Sequence, residues 1–231
     1  MLKTQKADDK IRDKIRLTYG VQPYQHNYYN DTKFFQFLRD EGTVTNVYGQ
    51  RVVRVTEDFI LALQAGLEEE VGDAASEIMY KAGYYWGEQD MQIYSARVQQ
   101  EFEVAFNKMS MGMMLETWWW PLTIEGWGTW RYDFSQGKQG LIFIDLYESA
   151  WAKTLGDVGE VVCHFYAGLF AAVMSNLSKR RLAGIEIQCY AMGEDYCKFL
   201  IGSEKRVNAA SFWRNEGASA KDVMKKIKDI D

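Results

Sequence analysis

The sequence predicts an α+β fold, an antiparallel sheet covered by helices, with a helical N-terminal extension. Three observations lead there. Up to residue 115 apolar residues recur every three or four positions, and from residue 129 they alternate. No glycine-rich strand-to-helix turn of the GxGxxG kind opens an alternating β-α pattern.

Lys6 to Thr18 reads as a charged, weakly amphipathic helix with Ile11, Ile15 and Leu17 on one side. Val21 to Asn30 follows as an aromatic loop (Tyr24, His26, Tyr28, Tyr29) and Lys33 to Arg39 as a short helix. Thr43–Tyr48 and Arg51–Val55 then form a hairpin around Gly49. Thr56, ahead of Glu57 and Asp58, caps a helix carrying Ile60, Leu63, Leu67 and Val71. After Gly72 the period resumes at Ala75, Ile78, Ala82 and Tyr85. Ala96 to Leu115 is the clearest helix, with Val98, Phe102, Phe106, Met109 and Met113 as its inner stripe.

Thr129 to Phe134 alternates and reads as a half-buried strand; Leu141 to Tyr147, apolar on both faces except for Asp145, reads as a central one. Val158 to Leu177 returns to helix. Leu182–Ala191 and Tyr196–Ile201 form a hairpin around Met192-Gly193-Glu194, and Ser219 to Ile230 is a Lys-rich tail helix. The expected divisions are an N-terminal extension at 1–58, a main ligand-binding domain at 59–203 and a helical tail at 204–231.

At 231 residues the chain suits one domain with elaborations. The 27 Lys and Arg against 32 Asp and Glu leave a charge of −5, which argues against a nucleic-acid partner. Residues 1–20 are charged throughout and lack the apolar stretch of a secretory signal. No apolar run approaches the roughly 18 residues of a membrane span. Three cysteines, an odd count, fit a reducing cytosol, so a cytoplasmic protein is expected.

All the cysteines fall between Cys163 and Cys197, in the spacing Cys163, then Glu186-x2-Cys189-x7-Cys197. Three thiolates and a carboxylate make a closed tetrahedral zinc shell with no open position, the signature of a structural site. A three-residue hairpin loop at 192–194 sets Cys189 opposite Cys197 on one face. Glu186, three residues from Cys189, points the other way in a regular strand, so its inclusion requires a bulge; His164 is the alternative fourth ligand. Three buried free thiols are the competing reading.

The run Val162-Cys163-His164-Phe165-Tyr166-Ala167-Gly168-Leu169-Phe170, followed by Glu186-Ile-Gln-Cys189-Tyr-Ala-Met-Gly193-Glu-Asp-Tyr-Cys197-Lys-Phe199, resembles the 4-vinyl reductase domain family. The upstream run Glu70-Val-Gly72, Ile78-Met-Tyr80-Lys-Ala-Gly83 and Gly87 resembles that domain's first half, so the likeness spans about residues 60–202. The resemblance implies a fold like that of small subunits of the vesicle-tethering transport protein particle. It also implies kinship with the aromatic-sensing domains of phenol- and toluene-responsive activators, where three cysteines and a glutamate hold structural zinc. The matching positions here are Cys163, Glu186, Cys189 and Cys197, which favours Glu186 over His164. Such activators continue into an ATPase with a GxxxxGK[ST] loop; this sequence has none, so control by direct DNA contact is disfavoured.

The leading functional expectation is a non-catalytic, zinc-containing homodimer that binds an apolar cyclic molecule. The family context suggests a tetrapyrrole or chlorophyll precursor and a role in pigment metabolism or photosystem assembly, peripheral to a photosynthetic membrane. The expected ligand wall is Met109, Met113, Trp118, Trp120, Trp127 and Trp130, because methionines adapt to ligand shape and aromatics stack on rings. In a strand, Trp118 to Trp120 cannot all face inward, so one or two point to solvent or a partner. The alternatives are an assembly scaffold without ligand, and a component of a 4-vinyl (proto)chlorophyllide reductase. With two histidines and no dinucleotide motif, no catalytic residue is assigned.

Overall fold

A computed structural model describes residues 2–19, 29 and 31–230. The first elements are helix α1 (Leu2–Tyr19), the single turn α2 (Asp31–Phe34), and strands β1 (Phe35–Leu38), β2 (Thr43–Asn46) and β3 (Arg51–Val52). Helices α3 (Glu57–Val71), α4 (Ala74–Phe102) and α5 (Met111–Ile124) follow, then strands β4 (Thr129–Asp133) and β5 (Ile142–Tyr147). Helices α6 (Ala150–Leu155) and α7 (His164–Ser178), strands β6 (Ala183–Gln188) and β7 (Cys197–Gly202), and helices α8 (Glu204–Asn215) and α9 (Ala220–Lys226) complete the chain. The predicted mixture of helices and antiparallel strands, with a helix at the N-terminus, is what the chain forms. Residues 1–55 with 92–127 make one compact unit, and residues 56–91 with 128–231 make the other.

In the first unit, β1, β2 and β3 pair antiparallel in that order. The Asn46 side-chain oxygen accepts the N–H groups of Tyr48 (3.0 Å) and Gln50 (3.1 Å), which shapes the turn at Gly49. The helix expected over Lys33–Arg39 is a strand from Phe35 onward, because pairing with β2 from Phe35↔Asn46 to Leu38↔Thr43 overrides local propensity. The aromatic loop expected at Val21–Asn30 lies, apart from Tyr29, outside the described residues. Ile11 and Ile15 of α1 are buried as their spacing predicts, and Asp8, also buried, accepts the Ser110 N–H at 2.9 Å.

The helix expected over Ala96–Leu115 is two helices. Glu103 adopts a left-handed conformation (φ 54°) just after α4, a short turn covers Phe106–Lys108, and Ser110 caps α5 by accepting the Met113 N–H at 3.1 Å. The tryptophan run lies in α5, not in a strand. Trp118, Trp119 and Trp120 are all buried, because this helix is enclosed over most of its circumference.

In the second unit the sheet order is β4-β5-β7-β6, all antiparallel, with β5 central as predicted. One face packs on α7, where Phe170 meets Phe199 at 5.1 Å and Trp130 at 5.8 Å. The other face supplies Leu141, Phe143, Ile185, Ile187 and Leu200 to a core closed by Val207 and Ala210 of α8 and Val223 of α9. The carboxylate in the central strand, Asp145, pairs with its cross-strand neighbour Lys198 rather than with Arg131, whose guanidinium lies 5.4 Å from the Tyr147 ring.

The inward stripe of α3 and of the first part of α4 differs from the predicted one. Thr56 begins α3 as expected, without a side-chain capping bond, but Leu63 and Val71 are exposed and Gln64 is buried. Along α4 the residues turned inward are Ala75, Met79, Gly83, Gly87 and Met91, whereas Ile78 and Tyr85 face outward. The reason is a backbone-to-backbone crossing of α4 and α7. A methyl group at Gly83 would overlap the Phe165 carbonyl, and one at Gly168 would overlap that of Tyr80. Among the described residues no helix is long and apolar enough to cross a membrane.

This crossing gives a direct comparison. Gly83→Ala and Gly168→Ala should each destabilise the protein by about 1–3 kcal/mol in urea unfolding, the usual cost of overpacking. Gly66→Ala, in α3 with open space around it, should stabilise by about 0.5–1 kcal/mol. Equal effects at the three positions would contradict the crossing.

Candidate metal centre

Three separate elements bring the candidate ligands together. Cys163 stands immediately before α7, Glu186 lies in β6, Cys189 follows that strand, and Cys197 opens β7. The β6–β7 pairing runs from Ala183↔Gly202 to Glu186↔Phe199, then slips by one residue to Gln188↔Lys198. The slip is a bulge at Ile187. It reverses the parity of the strand, so Glu186 and Cys189 reach the same side, and it leaves Cys189 next in register opposite Cys197. A tight turn over Tyr190–Met192, ending at Gly193 with φ 81°, closes the hairpin.

The four ligand atoms lie within 4.8 Å of one another, and all four residues are at most 1% exposed. The sulfurs of Cys163 and Cys197 are 3.6 Å apart, and those of Cys197 and Cys189 are 3.7 Å apart. Two thiolates on a tetrahedral ion, each with a bond of about 2.3 Å, stand about 3.8 Å apart, so these spacings fit a shared ion. They are far longer than the roughly 2.05 Å of a disulfide. One Glu186 oxygen accepts the Cys163 N–H at 2.7 Å, while its other oxygen, Oε1, is buried without a hydrogen-bond partner. An orphaned carboxylate oxygen beside three sulfurs is what a cation would satisfy. Ser149, fully buried, places its hydroxyl 3.1 Å from the Cys163 sulfur, where it donates to a thiolate.

The electrostatics point the same way. Burial pushes the Cys163 thiol and the Glu186 carboxyl well above their ordinary ranges, and neighbouring negative charge adds to it. Hydrogen bonds from Cys163 and Cys197 instead draw Cys189 far down, so the cluster concentrates its negative charge on one sulfur. Without a cation the group tolerates little charge; with one, all four donors can ionise.

His164 lies outside this cluster. It lines a groove of about 710 Å³ with Glu68, Asp73, Glu160 and Arg214, where burial and the Arg214 charge lower its pKa. Ser149 and Arg214 were not singled out by the sequence. Ser149 carries only the signal of a helix cap, at the start of α6, and Arg214 carries none.

The expected ligand wall does not gather in one unit. Met109, Met113, Trp118 and Trp120 are buried in the first unit and Trp127 is half-buried there, whereas Trp130 belongs to the second. Asp145 and Glu148 pair with Lys198 and Lys153, and neither forms an acid–base constellation with a histidine.

Two uncharacterized proteins of Methanocaldococcus jannaschii are similar to this chain. They are 32% identical over 90 residues and 35% identical over 51, covering 37% and 22% of this chain. The chain spans 56% of the length of the first and 30% of the second. Among solved structures, the phenol-responsive sensory domain of the transcription activator PoxR, crystallised with phenol, has a similar fold. Its TM-score is 0.59 at 19% identity, covering 74% of this chain and 86% of that one. A vinyl-4-reductase family protein from Methanocaldococcus jannaschii has a TM-score of 0.43 at 15% identity, over 65% and 82% of the two chains. Residues 142–203 match the family model of the 4-vinyl reductase domain. The chain therefore carries a 4-vinyl reductase domain over that stretch, and all four residues of the cluster lie inside it.

Proposed function

We propose that the chain is a non-catalytic small-molecule-binding module whose 4-vinyl reductase domain is pinned by one zinc ion on Cys163, Glu186, Cys189 and Cys197. The observation that carries the reading is the closed donor set: four buried protein ligands leave no coordination position for a reactive water. Zinc suits three sulfurs and one oxygen in a tetrahedral arrangement and would supply folding energy there, not chemistry. The paired Asp145 and Glu148 likewise favour binding over turnover.

The guest is proposed to be a small aromatic molecule, by likeness of fold to a sensory domain crystallised with phenol. Of the residues expected to line a ligand, Trp130 lies in the same unit as the cluster, half-buried and stacked on Phe170. A tetrapyrrole guest, a role in pigment metabolism or photosystem assembly, and a homodimer rest on the family resemblance alone. Nothing among the described residues selects a four-ring guest over a single ring.

Two experiments test this. Elemental analysis of the purified protein should find one zinc per chain, and Cys189→Ser should abolish its retention and cost on the order of 4 kcal/mol of stability. A wild type free of metal, with unchanged melting in the variant, would refute the site. Titration with phenol should give saturable quenching of tryptophan fluorescence that Trp130→Ala weakens at least about tenfold. Binding of a porphyrin but not phenol would restore the tetrapyrrole reading, and binding of neither would leave a scaffold.

A further inference from the structure

The bulge that brings Glu186 and Cys189 together also interrupts the strand ladder, and a side chain from another element fills the gap. Arg214, in the last turn of α8, donates from Nη1 to the Glu186 carbonyl at 3.1 Å and from Nη2 to the Asn215 side-chain oxygen at 3.1 Å. Both acceptors are neutral, and among the described residues Arg214 forms no ion pair with a carboxylate. A half-buried guanidinium without an ionic partner is costly unless charge nearby compensates it. Burial draws its pKa down, and the charges of Glu186 and Glu160 oppose that.

The metal reading proposed above supplies the compensation, and the role assigned to Arg214 rests on that reading. Three thiolates and one carboxylate bring four negative charges to a dication, leaving a centre of about −2 in a dry environment. We infer that Arg214 is a positioning residue that supplies the counter-charge of this centre, holding the bulge carbonyl while its guanidinium stabilises the ionised ligand set. The other charged or titratable groups of the groove are His164 at the start of α7, Glu160 in the loop before it, and Glu68 and Asp73 at the α3–α4 turn. The three carboxylates add negative potential and cannot compensate the centre, and His164 is held toward its neutral form by burial. Arg214 is the fixed cation of that set.

The geometry offers two roles, a hydrogen bond to the bulge and a charge beside the metal, and two substitutions separate them. Arg214→Gln keeps a donor and removes the charge, whereas Arg214→Lys keeps the charge. Zinc-loaded full-length protein is titrated with a chromophoric chelator at neutral pH, and the zinc dissociation constant is read. Arg214→Gln should weaken zinc holding about 10–100-fold, the usual effect of an outer-shell partner, while Arg214→Lys stays within about threefold of wild type. Wild-type zinc affinity in the Gln variant, or a Lys variant as weak as Gln, would overturn the inference. Should Arg214→Gln fail to fold, the exposed Glu160→Gln decides. Removing that anion should tighten zinc severalfold, and no change would overturn the charge role. A wild type that takes up no zinc overturns the metal reading and this inference together. A wild type that holds zinc, with Arg214→Gln equal to it, overturns this inference alone.

Discussion

Four acidic donors, three thiols and a carboxyl, share one dry space at the junction of a helix start and a β-hairpin. Their confinement is the constraint on which the second unit depends. In water each would be solvated separately; here the sulfurs stand 3.6–3.7 Å apart and one carboxylate oxygen has no hydrogen-bond partner. Desolvation and mutual repulsion together disfavour more than one charge in such a group, and a divalent cation reverses that balance. The cluster therefore ties α7 to the β6–β7 hairpin far more tightly when an ion is present than three buried thiols would alone.

The rest of the unit keeps α7 in place. On one side the helix meets α4 through Gly83 and Gly168, where the backbones approach too closely for any side chain. On the other it lies on the sheet, where Gly184 makes room for the Ala167 carbonyl and Phe170 packs between Trp130 and Phe199. The N–H of Cys163 is held by Glu186 and its sulfur by Ser149, so the ligand nearest the helix is fixed through both backbone and side chain. A module built this way has a rigid frame around its aromatic interior. Rigidity of that kind suits recognition of a flat apolar guest more than the motions of a catalytic cycle.

Much of this was legible in the sequence. The alternation of Thr129 to Phe134, the apolar run of Leu141 to Tyr147, and the hairpin arithmetic around Gly193 all correspond to the strands and register formed. The need for a bulge between Glu186 and Cys189 also followed from strand parity, and the slip at Ile187 is that bulge. Other features were hidden for identifiable reasons. The stripe Ala75, Met79, Gly83, Gly87, Met91 carries little hydrophobic signal because its glycines act by absence of a side chain, so the more apolar Ile78 and Tyr85 drew the periodicity off by a position. Glu103 takes a left-handed conformation with no glycine to announce it, which made two helices read as one. Trp118 to Trp120 looked like a surface feature only on the assumption of a strand; an enclosed helix buries all three. Arg214 leaves no local mark, since its partner at Glu186 lies 28 residues away.

The central claim is that one ion shares the three sulfurs and the carboxylate. X-ray absorption at the zinc edge of the purified protein reads that coordination directly. The account predicts a four-coordinate shell of three sulfurs at about 2.3 Å and one oxygen at about 2.0 Å. A shell of light atoms without sulfur, or one in which histidine nitrogen replaces the oxygen, would contradict it.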